Sequence, residues 1–192
     1  MNRVITTYQA QGIAKILIEA TKILTDDHLK DWLKIKAPGL NLNVRAGSGK
    51  STYFGYKYGR VNRDAHTNHS ITYGVRMIMS KYDAEMACRW TTAREITDFG
   101  YWGGQITLIN LLAHVVIHET GHFINYILYP REDNSVHNAA FYNTLNRMCS
   151  NPISERVRAH IYSRMTELGY LTTFSCGKTI ADFDTKKIRV RK

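Results

Sequence analysis

Two histidines four residues apart, with a glutamate beside the first, form the segment His118-Glu119-Thr120-Gly121-His122 in this chain of 192 residues. Residues at i and i+4 of an α-helix stand one above the other on a single face, so both imidazoles can point at one ion. Glu119, about 100° round the helix, flanks the open coordination position. Neutral imidazole nitrogen suits Zn2+, which brings the pKa of bound water down towards about 7, and Glu119 can take the released proton as the oxygen attacks a carbonyl. The chemistry expected of this pattern is hydrolysis of a peptide bond with one catalytic zinc. A shuffled chain with eight histidines would carry H-E-x-x-H roughly once in a hundred trials. The competing explanation, polar groups satisfied inside a core, has to account for three such side chains, His114 included, in one apolar segment.

A catalytic zinc needs a third protein ligand. The metzincin continuation is excluded, because it places Gly at 125 and His at 128, where the chain has Asn125 and Leu128. A glutamate on the following helix is excluded too, since residues 138 to 149 contain no acidic side chain. His137, fifteen residues after His122 and just past the turn YPREDNS, is the best candidate; Glu132, Asp133 and Glu155 are the alternatives. His114, Asn110 and Asn125 are candidates to orient a ligand through its second ring nitrogen. His69, Tyr126 and Tyr142 are candidates to face an oxyanion, and spacing selects none of them.

The element that must hold the motif is the longest apolar stretch, QITLINLLAHVVIHETGHFINYIL, closed by Pro130. It is too long for a strand and apolar all round, so it reads as a buried helix, with Gly121 costing about 1 kcal/mol of helix propensity inside it. Residues 8 to 35 show helical spacing in two stripes, Ile13, Ile16, Leu17 and Ala20, then Leu29, Trp32 and Leu33. Thr25-Asp26-Asp27 reads as an N-cap between two helices. Tyr53 to Tyr58 and Ser70 to Met79 read as strands of a small antiparallel sheet, and 138 to 149 and 154 to 168 as further helices. Gly47-Ser48-Gly49-Lys50-Ser51 has the flavour of a phosphate loop, but Val44 occupies the required first glycine and a strand follows where a helix is needed, so a turn is expected.

These elements make an α+β zincin-like domain: residues 1 to 38 as N-terminal helices, 39 to 150 as the core, and 151 to 192 as a C-terminal helix and basic tail. No stretch suggests a signal peptide or a membrane span, and Cys88, Cys149 and Cys176 are scattered without a C-x-x-C pair, which favours a reducing, cytoplasmic setting. The net charge is +10 and is concentrated at both ends, with KKIRVRK closing the chain. Basic ends around a near-neutral middle suit a polyanionic partner such as DNA, or merely a soluble surface.

The order His118-Glu119-x-x-His122, a short turn, His137-Asn138-Ala139-Ala140-Phe141 and then Leu145 resembles the SprT-like (Spartan-type) metallopeptidases, whose third histidine opens an H-G-x-x-F-like helix. Tyr58-Gly59-Arg60 and the strand-like stretch from Ile71 to Ile78 are similar to that family's small sheet, and the likeness spans roughly residues 40 to 150. Asn138 stands where the family has Gly, and Cys176 alone beyond Cys149 gives no C-terminal zinc ribbon. The resemblance implies proteolysis of DNA-associated proteins with a nucleoid or nuclear location. The alternative from another class is a non-enzymatic DNA-binding or anti-restriction-type protein with a structural zinc site.

Overall fold

The computed structural model describes residues 5–57, 68–82, 87, 89–129 and 136–171. Tyr58-Gly59-Arg60, Glu132, Asp133, Cys88, Cys176 and the basic tail lie outside the described residues. Helix α1 (Thr7–Lys22) opens on a capping box, in which Thr6 Oγ1 accepts from the Gln9 N–H and Gln9 Oε1 accepts from the Thr6 N–H. Its stripe of Ile13, Ile16, Leu17 and Ala20 is fully buried, as the spacing predicts. The chain does not restart at a cap after it. A π-helical turn (Ile23–His28) leads into α2 (Lys30–Lys36), and the Thr25 hydroxyl bonds back to the Thr21 carbonyl and to Asp26.

Three strands follow among the described residues: β1 (Asn41–Ala46), β2 (Tyr53–Lys57) and β3 (Asn68–Tyr73), in the spatial order β1-β3-β2. The expected antiparallel pair is β2 with β3, pairing Phe54 with Ile71; β1 adds in parallel on the other side of β3, with Val44 opposite Ile71. The strand expected to reach Met79 stops at Tyr73. Val75–Lys81 is helix α3 instead, because Val75 and Ile78, three apart, both turn into the core. Gly74 makes the switch possible: a Cβ there would lie 2.3 Å from the Ser51 carbonyl oxygen, since the irregular segment 47–52 folds directly over it. That segment is a turn followed by a strand.

Helix α4 (Thr91–Asp98) buries Ala93, Glu95 and Ile96, and a short turn at 101–104 links it to α5 (Leu108–Leu128). Thr107 caps α5 by accepting from the Asn110 N–H. Fifteen of the 21 residues of α5 are buried, so it is the central element. Helix α6 (Ala139–Cys149), α7 (Pro152–Glu167), α1, α4 and the strands β2 and β3 all pack on it. Asn151 caps α7, with Pro152 in the first helical turn where its missing N–H costs nothing. The sheet is tied to α1 by a buried hydrogen bond of 2.7 Å between the Tyr73 and Thr21 hydroxyls. No helix among the described residues is long and apolar enough to cross a membrane.

Candidate metal centre

Helical spacing brings His118 and His122 onto one face of α5, with their Nε2 atoms 3.0 Å apart. His137, immediately before α6, places its Nε2 3.3 Å from that of His118, and ligand atoms of all three imidazoles lie within 4.8 Å of one another. Asn138, the departure from the H-G pattern, is the N-cap of α6: its Oδ1 accepts from the Phe141 N–H at 3.0 Å, which anchors the helix start beside His137. Phe141 lies under the whole group. Its ring stacks on His122 at 4.2 Å and meets His118 and His137 edge-on at 5.1 and 5.0 Å.

The donor set suits a cation. The Nδ1–H of His118 donates to Glu95 Oε2 at 2.8 Å, which leaves a lone pair on Nε2 facing two further ring nitrogens. Zinc–nitrogen bonds of about 2.1 Å in a tetrahedron space the ligands roughly 3.4 Å apart, close to the separations found. Burial, with His118 adding to it, pushes His137 below its ordinary pKa, and so favours the neutral ring that a metal requires.

Glu95 had no signal in the sequence, being separated from His118 by 23 residues and sitting in a short helix. It also accepts from His114 Nε2 at 2.8 Å. Burial opposes its charge, but the hydrogen bonds from His114 and His118 outweigh that and hold the carboxyl near 2. His114 therefore reaches His118 through Glu95. Burial pushes the His114 imidazole down, against the pull of that carboxylate.

Glu119 projects beside the three histidines into a cleft of about 700 Å³. Burial raises its carboxyl to about 7, although His118 and a hydrogen bond from the Phe54 backbone N–H work the other way. The cleft walls come from Thr52 to Phe54 at the start of β2, from Trp90 to Thr92, and from Asn125 to Tyr129, with Val136 at the rim. Tyr126 lines the cleft. His69 sits behind that wall, stacked on Phe54 at 5.8 Å and touching Tyr126, while Tyr142 flanks His137 outside the cleft lining. Asn110 bonds to the Gln105 carbonyl and Asn125 borders the cleft, and neither is bonded to a candidate ligand. Glu155 is elsewhere, 3.5 Å from Arg158 on α7.

The fold is thus α+β, with a buried helix whose clustered histidine and glutamate side chains can chelate a metal ion. Comparison with protein-family models, with curated proteins and with solved structures returns no match.

Proposed function

We propose that this chain is a zinc-dependent metallopeptidase of zincin type, similar to the SprT-like enzymes, with His118, His122 and His137 as ligands and Glu119 as general base. The observation that carries this reading is the convergence of three imidazole Nε2 atoms next to a buried carboxyl at the floor of an open cleft. Zinc bound there would supply Lewis acidity to the scissile carbonyl and to water. Glu119, with a carboxyl near 7, is suited to accept a proton from water and pass it to the leaving amine. The Phe54 N–H holds that carboxylate against β2, so the base is aimed by the strand that forms the cleft wall.

Among the described strands β2 is at an edge of the sheet, and an extended peptide can add beside such an edge through backbone hydrogen bonds. Apart from Glu119 and the histidines, the cleft-lining residues described include no carboxylate, lysine or arginine; bulky apolar and aromatic groups such as Phe54, Met77, Trp90, Tyr126 and Leu128 alternate with the neutral polar Thr52, Thr91, Thr92 and Asn125. Peptides with uncharged, bulky side chains flanking the scissile bond fit these walls best. The test is Glu119→Gln in purified protein incubated with an unfolded polypeptide. Cleavage should vanish while zinc content stays near one per chain, and cleavage that survives the exchange removes Glu119 from the mechanism.

A second reading is favoured by the net charge of +10: DNA binding, either as the means of bringing substrate to the cleft or as the whole role of a protein with a structural zinc. Steeply salt-dependent binding of single-stranded DNA, with no chelator-sensitive fragments at high protein concentration, would favour the non-enzymatic role.

A further inference from the structure

One oxygen of Glu95 serves two imidazoles. Its Oε2 lies 2.8 Å from His118 Nδ1 and 2.8 Å from His114 Nε2, and all three side chains are buried. Both rings must donate, because an ionised carboxylate only accepts. The proton of His118 is thereby placed on Nδ1, and its Nε2 faces His122 and His137.

His114 is in turn held from behind by the turn at 101–104. The Tyr101 and Trp102 rings pack on it at 5.5 and 6.2 Å. Trp102 adopts φ 49°, a left-handed conformation uncommon for a residue with a side chain, and Gly100, Gly103 and Gly104 flank it with positive φ as well. Such a backbone persists only where its surroundings over-determine it. The Tyr101 hydroxyl also donates to Asn146 Oδ1 on α6, the helix that begins beside His137. One turn therefore grips both α5, at His114, and α6, the helix that starts just after His137, and none of its residues lines the cleft.

We infer that Glu95 and His114 are positioning residues for the metal centre: His114, clamped by the left-handed turn, fixes the Glu95 carboxylate, which sets the tautomer and orientation of His118 and so the affinity for zinc. This rests on the reading that His118, His122 and His137 bind zinc. Removing such an outer partner of a ligand typically weakens metal affinity about 10–100-fold.

The test uses the full chain stripped of metal, with zinc affinity measured by competition against a chromophoric chelator and ligand geometry by the visible spectrum of the Co2+ form. Glu95→Gln and His114→Phe, which keep volume, should each weaken zinc about tenfold or more and alter the Co2+ bands. In wild-type protein, nitrogen-15 NMR should place the His118 proton on Nδ1 and the His114 proton on Nε2. Zinc affinity within about threefold of wild type in both variants, with unchanged bands, overturns the inference, as does a His118 proton on Nε2. The tautomer measurement decides alone if a variant does not fold. Absence of zinc binding by the wild-type chain would instead sink the underlying peptidase reading and this inference with it, so the two failures are told apart.

Discussion

Replacing Gly121 by alanine probes how closely α5 and α6 approach beside the candidate ligands. A Cβ at this position would lie 3.6 Å from Phe141 Cε2, 3.8 Å from Leu145 Cδ1 and 4.0 Å from Met148 Sδ, all ordinary van der Waals contacts. Glycine in a helix interior costs about 0.5–1 kcal/mol relative to alanine, and a newly buried methyl contributes up to about 0.8 kcal/mol more. Gly121→Ala should therefore stabilise the metal-free protein by about 1–2 kcal/mol, or about 2–4 °C in Tm for each kcal/mol in a chain of this size. Urea unfolding followed by far-ultraviolet circular dichroism in the presence of a chelator reads this directly. Gly74→Ala is the control of opposite sign: its Cβ would meet the Ser51 backbone at 2.3 to 2.9 Å, and backbone cannot rotate away. That variant should lose about 1–3 kcal/mol or more. If Gly121→Ala loses stability instead, α5 and α6 approach more closely than the 3.6 to 4.0 Å contacts of the added Cβ allow.

Phe141→Ala empties a fully buried site that touches all three histidines, and should cost about 3–5 kcal/mol in chelator while also weakening zinc binding; unchanged denaturation would contradict the packing. His137→Ala should sharply lower the zinc retained through gel filtration, measured by atomic emission, and full retention would pass the third position to another ligand. Burial pushes the Cys149 thiol up to about 12, so in a chain with Cys88 and Cys176 changed to serine it should resist Ellman's reagent at pH 8 until urea is added. The sign follows: the native thiol stays protonated, whereas the unfolded one titrates near 9, so this group contributes no pH dependence below about 9 and disfavours the folded state as pH rises from there towards 12. Rapid native modification at pH 8 would refute the raised pKa of this partly buried thiol.

The motif was legible because its geometry is local: four residues of helix bring His118 and His122 together whatever the rest of the chain does. His137 is the best candidate from sequence once the metzincin pattern fails on Asn125 and Leu128 and residues 138 to 149 offer no acid, with Glu132, Asp133 and Glu155 as alternatives. The structure brings its Nε2 to 3.3 Å from that of His118. Glu95 was not legible, because its meeting with His118 is made by packing α4 on α5, and packing leaves no periodic trace in eight residues. Val75–Met79 looks like a strand by its β-branched and apolar content, but strand preference is mostly fit to a sheet face, and here the i, i+3 pair Val75 and Ile78 finds the core as a helix. Strand β1 was missed for a related reason: NLNVRA is an edge strand with no fully buried side chain, and its parallel pairing to β3 depends on residues far along the chain. The π-helical turn at 23–28 reads as a break in sequence because Thr25, Asp26 and Asp27 favour caps, yet the Thr25 hydroxyl is spent on the preceding turn.

Because most of α5 faces other elements, the segment that presents His118, Glu119 and His122 is also the keystone of the interior. Selection acting on such a protein has little freedom to shift the candidate metal centre, since any displacement of this helix unsettles its neighbours at once. In a peptidase of the proposed kind, new preferences among substrates would be acquired at the periphery, through exchanges at Tyr53, Leu128, Tyr129 and Val136, whose exposed side chains border the opening and can change without disturbing the interior. The architecture thus separates what must stay constant from what is free to diversify.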